Sequence, residues 1–193
     1  MLPFTDHFGV SEEQMKRSME AALSRGAGYC DIFFQHTVEN QIVMEEGIVK
    51  EGLKYIAHGA GIRAVKGEGT GYAYTEDLDP AMMRKAALTA AAIADSGASP
   101  PPARIDEETF ANRYPVGDPL TGAPLENKTA LIEEAEDAAR KHDPRIVKVT
   151  VTLVDSLSTV QIATSEGRLL RDTRPMVRIS VSAVAEANGN RQI

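Results

Sequence analysis

One cysteine in 193 residues leaves no internal disulfide framework and no multi-cysteine zinc knuckle, and it suits a reducing compartment. Positive charge is also in short supply: 21 Lys and Arg stand against 28 Asp and Glu, a net charge of -7. Nucleic-acid affinity rests largely on neutralising phosphates, so direct DNA or RNA binding is not expected. No apolar run approaches the roughly 18 residues of a membrane span, and the N-terminus lacks a basic stretch followed by an apolar one. A protein without membrane or signal segments, resident in the cytoplasm, is the expectation. What remains is ordinary globular material, 42% hydrophobic and 25% charged, enough to bury a core.

Helix signals come first. Ser11 with Gln14 three residues on makes a capping box, Val10 and Met15 a hydrophobic staple, and Met15, Met19, Ala22 and Leu23 an apolar stripe that ends at Gly26 and Gly28. A second helix begins at Pro80 behind Asp79 as cap. A third spans roughly 126–142, with Leu131, Ala135, Ala138 and Ala139 on its apolar face, and Glu136 and Asp137 four residues before Arg140 and Lys141. Between helices the period falls to two. The pattern predicts short strands: two in 29–46 broken near Glu39 and Asn40, several glycine-punctuated ones over 48–75, and further short ones after Arg145. Asn188-Gly189 is a strong hairpin turn.

Six of the ten prolines fall between Ala98 and Pro124, where no period survives, so this stretch reads as a connector. Arg104 and Arg113 within it are the expected first sites of trypsin cleavage. Helix and turn signals recur at shifts of 116 and 120 residues. An α+β protein of two duplicated units of helix plus antiparallel sheet follows, 1–97 and 125–193 around a connector at 98–124.

Chemistry is harder to find. The glycine-rich "GAGIRAVKGEGTGYAYTED" is not a phosphate cradle: Lys66-Gly67-Glu68-Gly69 runs into a strand rather than a helix N-terminus, Glu68 would repel a phosphate, and Ala64 stands where a dinucleotide fingerprint needs its third glycine. It predicts a hairpin. His7, His36, His58 and His142 are too far apart for a helical ligand pair and read as scattered surface or edge histidines, with a site assembled from distant ones as the alternative. Cys30 reads as a small buried hydrophobe lacking a base. Asp106-Glu107-Glu108 and Glu133-Glu134 read as solvated acids, and Tyr72 with Tyr74 as core rather than a recognition surface. No catalytic, cofactor-binding or metal role is assigned to any residue.

Two long stretches nevertheless resemble a known family. "GAGYCDIFFQHTVENQIVMEEGIVKEGLKYIAHGAGIRAVKGEGTGYAYTEDLD" resembles the N-terminal region, and "EGRLLRDTRPMVRISVSAVAEANGNRQ" the middle region, of the TldD/PmbA family, metallopeptidases also labelled modulators of DNA gyrase. "DTRP" followed by "VRISVS" is similar to the TldD branch rather than the PmbA (TldE) branch. The resemblance implies a chain more than twice as long, in which a HExxxH helix gives two zinc-binding His and a catalytic Glu, and a later Cys completes the metal site. None of these matches a position here, so zinc is expected in the full-length parent and not in this chain, which should be inactive alone. In the parent, a zinc-bound water deprotonated by the Glu would attack the peptide carbonyl. The resemblance also implies pairing with a TldE/PmbA-like subunit, or self-association, around a cavity for small or unfolded peptides. This segment would then be wall and subunit contact. The alternative is a stand-alone protein-interaction module of the gyrase-modulator type.

Overall fold

The computed structural model describes residues 7–94, 105–108 and 119–193. Three helices are described, α1 (Glu12–Leu23), α2 (Pro80–Ala94) and α3 (Leu125–His142), with a 3-10 turn at Leu120–Gly122. The strands are β1 (Tyr29–Glu45), β2 (Ile48–Lys66), β3 (Gly69–Thr75), β4 (Asp106–Glu107), β5 (Ile146–Thr164), β6 (Arg168–Ala187) and β7 (Asn190–Gln192). They form one sheet in the order β3-β2-β1-β5-β6-β4, with β7 on β6, and the α+β class is as expected. Along β1 and β5, Cys30 meets Ser165, Thr37 meets Ser158, Asn40 meets Asp155 and Glu46 meets Val149. Numbers rising on one strand fall in equal steps on the other, so the pair is antiparallel. The two-residue β4 runs parallel to β6, Asp106 opposite Arg168.

Local signals decide the ends. Ser11 Oγ accepts from Gln14 N while Gln14 Oε1 accepts from Ser11 N, the reciprocal capping box. Asp79 Oδ1 accepts from Ala81 N at the start of α2. The β1–β2 turn puts Glu46 and Gly47 at positive φ (55° and 69°), and the β6–β7 turn does the same at Asn188 and Gly189 (53° and 78°), the I′ arrangement that suits strand twist. The glycine-rich stretch is the β2–β3 hairpin, Lys66 opposite Gly69.

The strand lengths differ from expectation. There is no break at Glu39 and Asn40: β1 runs 17 residues, and β2, β5 and β6 run 19, 19 and 20, about twice the usual upper range. The internal glycines of β2 mark close approach, not turns. A Cβ on Gly59 would lie 2.6 Å from the Thr75 carbonyl oxygen, and one on Gly61 would meet the Tyr72 ring. Pro175 sits inside β6, between the stretches paired by β4 and β7.

The chain gathers into two compact units, each woven from three stretches: 1–36, 57–112 and 159–173 in the first; 37–56, 113–158 and 174–193 in the second. The first has an apolar core around Met19, Ile32, Phe34, Ile62 and Met83, with the alanines of α2 against β3. A Cβ on Gly71 would fall 1.9 Å from Ala90 O, so glycine is what lets that helix seat so closely. The second packs Ile42, Met44, Val149, Val151 and Leu153 against Ile132. Here the expected face of α3 is rotated. Ala135 and Ala139 pack against the second core as expected, but Leu131 is 39% exposed and Ala138 is exposed, while the buried positions are Lys128, Ile132 and Glu136, two of them charged. Most of the connector expected at 98–124, with Arg104 and Arg113, lies outside the described residues. Of its described part, Ile105 is buried in the first core.

Candidate functional site

Histidines expected to be scattered are partly gathered. In the first unit the rings of His7 and His36 lie 4.7 Å apart and those of His36 and His58 5.7 Å apart, both edge-to-face. His36 continues the buried row Cys30, Ile32, Phe34 on β1, and His58 continues Ala60, Ile62, Ala64 on β2, because alternate strand residues share a face. His142 is on α3, in the second unit. Among the described residues no three His, Cys, Asp or Glu side chains are placed to hold a metal ion, the histidine trio included. Among the described residues the donor set therefore does not fit a catalytic zinc.

Cys30 is fully buried and free, and burial, followed by the nearby Asp31 carboxylate, pushes its thiol up to about 12. It packs as a small core hydrophobe, as expected. On the neighbouring position Asp31 accepts from Arg63 Nε at 3.0 Å and also from its Nη2, and the guanidinium sits 5.9 Å from the Tyr29 ring centroid. Burial first, and then Asp31, raises the Tyr29 phenol. Tyr72 and Tyr74 are not core: they are 55% and 71% exposed, their strand face lying opposite the side that α2 covers. Glu133 and Glu134 are solvated. Asp106-Glu107-Glu108 is more organised than expected, with Glu107 on Arg171 at 2.6 Å and Glu108 on Arg168 at 2.9 Å.

The second unit holds a constellation that sequence reasoning missed. Lys128 Nζ donates to Asp155 Oδ2 at 2.9 Å, and Asn40 Nδ2 donates to Asp155 Oδ1 at 2.9 Å; Lys128 and Asp155 are buried. Glu136, also buried, accepts from Gly47 N with both oxygens at 2.9 Å and from Arg140 Nε at 3.1 Å, while Arg140 reaches Glu46 at 2.6 Å. These groups join α3 to the β1–β2 turn and to β5. Every carboxylate oxygen in them is engaged, which describes a scaffold rather than a general acid or base.

The second unit also leaves apolar strand surface bare. Ile48, Val49, Leu53, Tyr55 and Ile56 on β2, and Met176, Val177, Ile179 and Val181 on β6, are between 42% and 68% exposed. Among the described residues, β2 has a partner on its outer side only from Ala60 onward. None of the described helices is long and apolar enough to cross a membrane.

Comparison with known proteins places this architecture. Residues 30–94 match the family model described as PmbA/TldA metallopeptidase domain 1, and residues 118–192 the one described as PmbA/TldA metallopeptidase central domain. A Haemophilus influenzae protein described as a metalloprotease TldD homolog is 35% identical over 185 residues, 95% of this chain but 38% of its own length. A Buchnera aphidicola homolog from Acyrthosiphon pisum is 28% identical over 183 residues, again 38% of its length. In fold the chain is similar to a Thermotoga maritima protein described as a candidate modulator of a DNA gyrase (TM-score 0.70, 20% identity, 94% of this chain, 41% of that one). It is also similar to TldE from Thermococcus kodakarensis (TM-score 0.62, 16% identity, 93% of this chain and 40% of that one). Two family domains matched in chain order, together well over half of the residues, show that the chain belongs to the PmbA/TldD family and carries the first-domain and central-domain regions of its TldD members.

Proposed function

We propose that this chain is the non-catalytic first and central part of a TldD-like metallopeptidase subunit, supplying peptide-cavity wall and subunit contacts. The ordered pair of family matches carries this reading. The bare apolar surface on β2 and β6, which suits coverage by further protein, is in keeping with it. Open strand edges hold an extended peptide through main-chain hydrogen bonds, which fits small or unfolded peptides of varied sequence. The partner in this reading is a TldE/PmbA-like paralogous subunit or a second copy, the metal of the complete subunit is zinc, and the setting is the cytoplasm. The arrangement 1–97, 98–124 and 125–193 belongs to the same proposal, since the two matches are separated by residues 95–117.

The test is to purify this chain with and without a PmbA-like subunit and assay hydrolysis of short peptides alongside elemental analysis. The expected result is association with the paralog, no hydrolysis by the chain alone, and less than one tightly held zinc per chain. Peptide hydrolysis by this chain alone, or one zinc per chain surviving mild chelation, overturns the non-catalytic reading. Failure to bind any PmbA-like subunit, together with capture of gyrase, favours the interaction-module alternative.

A further inference from the structure

The histidine trio has no role in that reading, and its surroundings suggest one. The ring of Phe8, only 7% exposed, is 5.5 Å from the fully buried Phe34 and stacks on His58 at 6.0 Å with 17° between planes. His7 follows the same segment and meets both Phe8 and His36 edge-on. The core rows of β1 and β2 thus run out into His36 and His58, and the residues just before α1 lie against them. Gly9, at φ 64° with open space around its α-carbon, joins this seat to the capping box at Ser11.

His36 is half-buried in this seat, with His7 and His58 exposed at its margin, so a charge on His36 is the one least well hydrated. Burial, then His7, then His58, hold His36 below the ordinary imidazole range. Among the described residues, the titratable groups acting on it from other elements are His58 from β2 and His7 from the N-terminal segment. Its own strand neighbours, Gln35 and Thr37, carry no charge, and the β1–β5 register brings it opposite Thr159. On α1 the first-turn acids face their own bases, Glu12 with Lys16 and Glu13 with Arg17. A proton on His36 is therefore disfavoured by burial and by the two rings 4.7 and 5.7 Å away.

We propose that His36, flanked by His7 and His58, forms a proton-operated latch that seats Phe8 on the sheet when His36 is neutral and releases residues 7–10 when it is protonated. Because the His36 value is depressed in the folded state, the latch is closed above the free-imidazole range of about 6.5 and opens as pH falls through the lowered value. What opening exposes is the aromatic end of the first core, Phe8 and Phe34, and the start of α1.

The experiment follows histidine ring protons and amide protection at Phe8 and Val10 by NMR on the whole chain between pH 7.5 and 5. Expected is a several-fold fall in protection as His36 titrates, a rise in the His36 midpoint in the His7→Gln/His58→Gln double variant, and pH-insensitive protection in His36→Phe. His36→Gln is the second non-ionisable variant, should the phenyl ring disturb the seat. Protection that stays constant across the range overturns the latch. So does protection that falls equally in both His36 variants. Stoichiometric Zn2+ binding that moves all three histidines at pH 7.5 also overturns it, because the trio would then be a metal site.

Discussion

In the first unit Phe34, Met19, Ile32, Ile62 and Met83 are sealed from water, and Asp31 is the one buried charge among the described residues. In the second, six buried apolar residues share the interior with Lys128, Asp155 and Glu136. The apolar core is set by volume and tolerates any filling of the right shape. The charged one is set by direction, since Lys128 reaches Asp155 and Glu136 reaches Gly47 N in one seating of α3. A buried pair of this kind gives little net stability, because desolvation offsets most of its attraction, yet its loss from one side is costly. Fixing the seat of α3 is thus the pair's contribution to the fold.

The contrast breaks most sharply at Asp155. Asp155→Ala leaves the Lys128 ammonium buried without its partner and should destabilise the second unit by about 3–5 kcal/mol, whereas Lys128→Met with Asp155→Leu should be close to neutral. Denaturant unfolding, with amide exchange to tell the units apart, checks both. A double variant as damaged as the single one would mean that the charges themselves hold the unit together. In the first unit the comparable lesion is one of volume. Gly71→Ala drives a Cβ into Ala90 O and the backbone of Ala94, so α2 must lift from β3, at about 1–3 kcal/mol. Unchanged stability there would show the alanine face to be loosely seated. The smallest effect is at the edge of the first core: Ser11→Ala removes the capping-box acceptor and should cost about 1 kcal/mol, with exchange rising only at the start of α1. Exchange rising through Met19 as well would couple the cap to the whole core.

Local chemistry was readable in advance, and distant pairing was not. Ser11 with Gln14, Asp79 before Pro80, the Gly67 turn and Asn188-Gly189 all act over two to four residues, and each stands where its spacing put it. Cys30 was legible because its strand phase alone buries it. The α3 face was misread because Lys128 and Glu136 look solvent-facing until Asp155 and Gly47, 27 and 89 residues away, are brought to them. The histidine trio joins β1, β2 and the segment before α1, a meeting without spacing in the chain. The length of β2 is hidden because Gly59 and Gly61 read as turn signals, while their function is to let Thr75 and Tyr72 come close. The two exposed tyrosines on β3 obey the alternation that buries residues on a covered face, and sequence does not say which face is covered.

The buried thiol of Cys30 turns all this into something that can be timed. With its acidity suppressed to about 12 and its side chain sealed, it is silent toward alkylating reagents while the first unit stays shut. No other sulfhydryl exists in the chain to blur the signal. Each modification event is therefore a record of one excursion of that unit, and the rate at which label accumulates is a clock for its breathing.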